Sequence, residues 1–147
     1  VAYGCVVHLM TYGEIDLINF KSQLERNAWK ILKKHWDAVK YEPDVITFVQ
    51  PEKVRKYCPD FKIGRNVYLE AKGKLDIATR QKMVNFKASN PDVRIIFLFM
   101  NPSNKITKRS KTTYGVWAGK EGFEWLDFRL NWVKHLKEML YGNKEFA

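Results

Sequence analysis

Cysteine is almost absent from this 147-residue chain, with only Cys5 and Cys58, far apart and outside any CxxC pair. A disulfide framework is therefore not expected, and a reducing compartment is. Zinc is disfavoured too, because His8, His35 and His135 each stand alone without ligand spacing. No basic region followed by an apolar core marks the start as an export signal, so a cytoplasmic location is expected. Long apolar runs are also missing: the longest, Ile95 to Met100, is far too short to span a bilayer. There is no internal repeat, low-complexity tract or linker. Acidic residues are scarce relative to basic ones, 16 against 26, which leaves a net charge of +10.

What is present fits one folded domain. Hydrophobic residues make up 46% of the chain and aromatics 14%, and a domain of this length buries roughly 70% of its unfolded surface. The basic excess creates a field suited to polyanions, with nucleic acid the first candidate. A membrane surface would instead favour one basic amphipathic helix, whereas here the basic residues are spread over loops and several elements.

The most informative stretch runs from Tyr57 to Gly73. Val67-Tyr68-Leu69-Glu70-Ala71 reads as a strand, and alternation with period two points Glu70 and Lys72 the same way. Gly64-Arg65-Asn66 is a natural turn. A preceding strand from Cys58 to Ile63 would then bring Asp60 within reach of Glu70. Pro59-Asp60, nine intervening residues and Glu70-Ala71-Lys72 form a PD...(D/E)xK pattern. Its chemistry follows from the residue types. Two carboxylates on rigid strands hold Mg2+ while waters and substrate phosphate complete the octahedron, and Mn2+ is expected to substitute. Such an ion polarises a phosphoryl oxygen and acidifies water, and the Lys72 ammonium offsets charge developing on the phosphate. The competing reading is an ordinary hairpin with solvated charges.

Around this hairpin the chain reads as α/β. Leu17, Leu24, Ala28, Ile31 and Leu32 recur at helical spacing from Glu14 to about His35. Within that helix Ser22-Gln23-Leu24-Glu25 is a capping box, which by itself explains Glu25 without chemistry. Val39 to Gln50 is proline-bounded, β-prone and edge-like, and residues 51–56 read as a basic connection. A second helix is expected from Asp76 to Asn90, with Thr79 a possible cap, Ile77, Met83, Val84 and Phe86 inward and Arg80, Lys82 and Lys87 on its surface. Val93 to Phe99 reads as a central strand buried on both faces. Helix between strands implies a crossover and at least one parallel pair, hence a mixed sheet. Asn101 to Lys111 is expected to be a flexible basic loop whose Lys105, Lys108, Arg109 and Lys111 are the leading candidates for DNA phosphates. Arg80 and Lys82 join that candidate set. A short helix, a stop at Gly122, a brief strand and a terminal helix through Leu126, Leu130, Val133, Leu136 and Leu140 complete the reading, with Trp117, Trp125 and Trp132 assigned to the core.

Several spacings coincide in one order: Ser22-x-Leu24-Glu25, Tyr41-Glu42, Pro59-Asp60-Phe61, Val67-x-Leu69-Glu70-x-Lys72-Gly73, Arg80-x-Lys82, Arg94-Ile95-x-Phe97 and Thr113-Tyr114-Gly115. From about Phe20 to Phe123 the chain resembles the phage endonuclease I family, the junction-resolving nucleases of podophages. The resemblance implies a restriction-endonuclease-like mixed β-sheet flanked by helices, an intertwined, segment-swapped homodimer, and Mg2+-dependent cleavage of branched DNA such as four-way junctions in the host cytoplasm. It also implies that Glu25 of one chain completes the Asp60, Glu70 and Lys72 site of its partner, making Asp60, Glu70 and Glu25 the metal ligands. Residues 44–56 correspond to the family's bridging segment. On this reading residues 1–13 are an N-terminal extension and 14–147 a single endonuclease domain. Two other functions stay open: a homing or restriction-type endonuclease on the same fold, and a non-catalytic DNA-binding protein.

Overall fold

A computed structural model of the chain describes residues 17–50 and 52–142. The chain order is α1 (Gln23–His35), β1 (Lys40–Tyr41), β2 (Ile46–Gln50), β3 (Lys53–Tyr57), β4 (Phe61–Gly64), β5 (Val67–Lys72), α2 (Ile77–Ser89), β6 (Arg94–Phe99), α3 (Tyr114–Lys120), β7 (Glu124–Asp127) and α4 (Trp132–Tyr141). Five strands form one sheet in the order β1-β4-β5-β6-β7, and β2 and β3 form a separate two-stranded sheet. β1, β4 and β5 pair antiparallel, whereas β6 runs parallel to both β5 and β7. The expected mixed sheet is therefore present. Among the described residues no helix is long and apolar enough to cross a membrane.

Alternation along β5 and β6 divides the core into two layers. Leu69, Ala71, Ile96 and Leu98 face α1 and α4, packing with Leu24, Ala28, Trp29, Leu32, Trp132 and Leu136. Tyr68, Ile95, Phe97 and Phe99 face the other side, with Met83 and Phe86 of α2, Trp117 of α3, and Phe48 and Tyr57 of the β2–β3 hairpin. By the same period Glu70 shares its face with Tyr68 and Lys72. It is a carboxylate in the middle of a buried strand.

Local chemistry sets the ends of the elements and corrects several expectations. α1 starts at Gln23 rather than near Glu14, because the Ser22 hydroxyl caps it by accepting from the Glu25 amide at 3.1 Å. Leu17, expected inward, lies outside the helix and is 84% exposed. The extended stretch from Val39 is broken between β1 and β2, where Glu42 takes φ +44. Residues 53–56, expected as part of a basic connection over 51–56, instead form strand β3 together with Tyr57, and the backbone of β3 pairs with β2 although four of its five side chains are exposed. Asp76 rather than Thr79 caps α2, accepting from the Thr79 amide at 2.8 Å, and Ile77, expected inward, is 69% exposed. α4 begins only after its Asn131 cap, so Leu126 belongs to β7 and Leu130 to an exposed turn. Trp117 and Trp132 are core residues, whereas Trp125 is 37% exposed. The β4–β5 hairpin turns at Arg65 and Asn66, with Asn66 at φ +55, a conformation asparagine tolerates. Residues 1–13 lie outside the described residues.

Candidate active site

Three charged side chains are buried among the described residues: Glu25 at 7%, Asp60 at 8% and Glu70 at 2% relative exposure. All three meet at one end of the β4–β5 pair, where they form an acidic edge. Asp60 immediately precedes β4, and the β4–β5 pairing locks it in place. Its Oδ2 accepts from the Ala71 amide at 2.9 Å, while its own amide donates to Glu70 Oε2 at 3.1 Å. Glu70 Oε1 receives the Lys72 ammonium at 2.8 Å. The two residues that alternation aims in one direction are thus directly paired, and Glu70 also holds the Asp60 amide.

Glu25 reaches the same edge from the first turn of α1. Its Oε1 accepts from the Ser22 hydroxyl at 2.8 Å, and its Oε2 accepts from the Tyr41 hydroxyl and from the Lys21 amide. The capping interaction is therefore real, and the cap also fixes a buried carboxylate beside Asp60. The two readings of Glu25 are compatible. Within this single chain, oxygens of Glu25, Glu42 and Asp60 lie within 4.8 Å of one another.

Glu42 was not singled out as a site residue by sequence reasoning. It follows the two-residue strand β1, its amide donates to the Asp60 carbonyl at 2.8 Å, and its carboxylate pairs with Lys21 at 2.5 Å. A left-handed backbone conformation, which costs a non-glycine residue on the order of 1 kcal/mol or more, turns its side chain toward Asp60. The only sequence signal was its place next to Tyr41 in the family-like spacing.

Electrostatics mark the group as over-charged. Burial, and then the neighbouring Glu70 and Glu25 carboxylates, push the Asp60 carboxyl up to about 8, against the pull of Lys72 and the Ala71 amide. For Lys72, burial alone would lower the pKa, but Glu70, Asp60 and Glu25 outweigh it and the ammonium is held above its usual range. Lys72 is therefore a fixed cation at neutral pH. Burial, reinforced by the Glu25 hydrogen bond, also raises the Tyr41 phenol well above its ordinary value.

Carboxylates alone supply the donors here, and an all-oxygen set suits a hard divalent cation rather than zinc or copper. Burial first, and then the crowding of Glu70 and Glu25, disfavour the ionised Asp60 carboxylate, and a bound cation would offset both. The residues fit a divalent ion, with Glu25, Glu42 and Asp60 forming its most compact seat and Glu70 behind Asp60.

The remaining candidates separate into different surroundings. Lys105, Lys108, Arg109 and Lys111 are all exposed, but their loop is braced rather than slack. The Ile106 amide donates to the Thr112 carbonyl at 3.0 Å, and Lys105 bridges to Thr113. Arg80 braces the same loop, donating to the carbonyls of Leu75 at 2.8 Å and Ile106 at 3.2 Å. Lys82 is half-buried over the Tyr57 ring.

The phage endonuclease I family model matches residues 9–144. The chain belongs to the phage endonuclease I family. Two curated phage endonucleases agree with that placement. Endodeoxyribonuclease 1 of Enterobacteria phage T3 is 32% identical over 108 residues, covering 74% of this chain and 71% of the relative. Endonuclease I of Escherichia phage T7 is 28% identical over 121 residues, covering 81% of each. In this phage endonuclease I chain Glu70 of the PD...(D/E)xK pattern contacts both the Asp60 amide and the Lys72 ammonium, and the match spans every described element that builds the site.

Proposed function

We propose that this chain is a structure-selective, Mg2+-dependent endodeoxyribonuclease that hydrolyses phosphodiesters in branched DNA such as four-way junctions, acting as a homodimer in the cytoplasm of a phage-infected host. Family membership supports a nuclease. The single observation that carries the catalytic reading is that the buried charged side chains converge on one edge, where burial and then Glu70 and Glu25 raise the Asp60 carboxyl to about 8. A protein gains nothing in stability from such a grouping, so it points to a ligand that the grouping is built to hold.

Bound among these carboxylates, Mg2+ or Mn2+ supplies Lewis-acid polarisation of the phosphoryl oxygen and acidification of water. The chain's own groups do the rest. Asp60 is fixed by the Ala71 amide, so its second oxygen is left toward Glu25 and Glu42. Lys72, held protonated, serves as a cation for the developing phosphorane charge rather than as a base. Glu70 keeps that ammonium in place, and Tyr41 with Ser22 orients Glu25.

The dimer rests on the β2–β3 hairpin, which spans the expected bridge at 44–56. Its turn puts Glu52 at φ +73, and it leaves Val49 and Val54 62% and 72% exposed. Opening that turn would relieve the backbone strain and pass α1 and β1 to a partner. Glu25 and Glu42 would then make in trans the contacts that they make here in cis. Two sites at fixed separation and angle would select branched duplexes by shape, while Lys105, Lys108, Arg109 and Lys111 follow phosphates.

Incubation with a four-way junction and with linear duplex, in Mg2+ and in EDTA, tests this directly. Junction-selective, EDTA-sensitive cuts support it. Site-specific cuts in linear duplex would favour a homing or restriction-type enzyme, and binding without cuts a DNA-binding protein.

A further inference from the structure

Lys82 has no obvious reason to stand where it does. It lies on the second turn of α2, the helix that follows β5 and Gly73, close enough to Glu70 and Lys72 for their charges to act on it. Its ammonium is 4.5 Å from the centroid of the Tyr57 ring. Tyr57 ends β3 and is 6% exposed, and its hydroxyl, sealed from solvent beside Glu70, has no hydrogen-bond partner of good geometry among the described residues. One side chain thus separates the two groups, with its hydroxyl end toward Glu70 and its π face under Lys82.

Other lysines near this edge have carboxylate partners: Lys72 with Glu70 at 2.8 Å, Lys62 with Asp44 at 2.7 Å and Lys21 with Glu42 at 2.5 Å. Among the described residues no carboxylate is within ion-pair distance of Lys82. A half-buried ammonium held only by an aromatic face is under-compensated, since a ring quadrupole attracts a cation more weakly than a carboxylate does. Burial and the nearby Lys72 pull it below the usual lysine range, with Glu70, Asp60 and Asp76 too weak to restore it. The missing counter-charge has a natural source. A strand whose scissile phosphate lies at Lys72 and Asp60 carries further phosphates on either side.

We propose that Lys82, seated on the Tyr57 ring, takes a DNA phosphate flanking the scissile one and so sets how the cut strand is placed over Glu70 and Lys72. Lys82 is the contacting residue and Tyr57 the positioning residue. This deepens the nuclease reading and rests on it.

The full chain, with cleavage suppressed by EDTA, is titrated with a four-way junction across a series of salt concentrations. Each neutralised duplex phosphate contributes about 0.9 to the slope of log affinity against log salt. Lys82→Met, which keeps the stem and removes the charge, lowers that slope by about 0.9, and Lys82→Arg retains it. Tyr57→Phe keeps the wild-type slope because the ring remains, and Tyr57→Leu loses it as Lys82→Met does. Should Tyr57→Leu fail to fold by its melting curve, the Lys82 pair decides alone. A Lys82→Met slope equal to that of the wild type, in a protein that still binds and cuts junctions, overturns this assignment and leaves the nuclease intact. No junction binding by the wild type overturns both.

Discussion

The acidic edge and the basic loop are both dense in charge, yet they obey opposite rules. Glu25, Asp60 and Glu70 are buried, like-charged and held by named donors. Lys105, Lys108, Arg109 and Lys111 are exposed, and none has a carboxylate within ion-pair distance among the described residues. Solvated charges cost little wherever they stand, so the loop's composition declares a preference for polyanions without assigning a role to any one lysine. Buried carboxylates that crowd one another oppose folding, so their geometry is itself a statement about chemistry. Specific contacts are legible at the edge and only a field is legible at the loop.

The largest effect expected from breaking this contrast is Glu70→Ala. It removes the partner of both Lys72 and the Asp60 amide and should slow junction cleavage by about 10²–10³-fold, the equivalent of several kcal/mol of lost charge stabilisation. Binding in EDTA should persist, because the substitution adds no negative charge. Equal loss of binding in a gel-shift titration would move Glu70 from chemistry to folding.

Next in size is the pH response of the metal-free protein. Asp60 is raised to about 8, so between roughly pH 4 and 8 the folded state holds a proton that the unfolded chain has released. Stability of the metal-free protein therefore falls as pH rises through that window, by at most about 1.4 kcal/mol per pH unit. Melting curves from pH 5 to 8.5 should show the decline, and Asp60→Asn should flatten it while raising the upper end. Adding Mg2+ should release a proton and recover stability above pH 7, since metal and proton compete for one carboxylate. A melting temperature independent of pH in both proteins would refute the electrostatic account.

These effects trace back to features the sequence displays unequally. Glu70 and Lys72 were readable because period two is a property of the strand itself, and Asp60 because Pro59 and the turn at residues 64–66 fix the neighbouring strand. Glu25 could be recognised as a cap, but nothing in Ser22-x-x-Glu25 says that the cap is buried. Glu42 was not readable: its place depends on β1 pairing with β4 and on a left-handed backbone angle, neither of which leaves a periodic trace. Strand β3 was missed for a related reason. Its side chains are mostly exposed, so only backbone pairing with β2 defines it. The premature start assigned to α1 came from apolar spacing through Leu17, because periodicity does not mark where amides run out of acceptors.

Arg80 tests the boundary between the two regions. Its guanidinium ties α2 to the basic loop through the carbonyls of Leu75 and Ile106, so Arg80→Ala should destabilise the protein by about 1–2 kcal/mol. Thermal unfolding checks this. An unchanged melting temperature with a shallower salt slope for DNA binding would instead make Arg80 a phosphate contact.

The smallest expected effect separates the cap from the site. Ser22 accepts from the Glu25 amide and donates to the Glu25 carboxylate, so Ser22→Ala removes a helix cap worth about 1 kcal/mol and one of the donors that hold Glu25. Ser22→Gly would lose both hydrogen bonds too, but glycine itself caps helices nearly as well as serine, so stability should drop by only a few tenths of a kcal/mol. If Glu25 works as a ligand, both variants should need more Mn2+ for half-maximal binding, read by manganese spin resonance, although only the alanine variant melts noticeably earlier. Were metal affinity to track melting temperature instead, falling with alanine and unchanged with glycine, Glu25 would be no more than the carboxylate of a capping box.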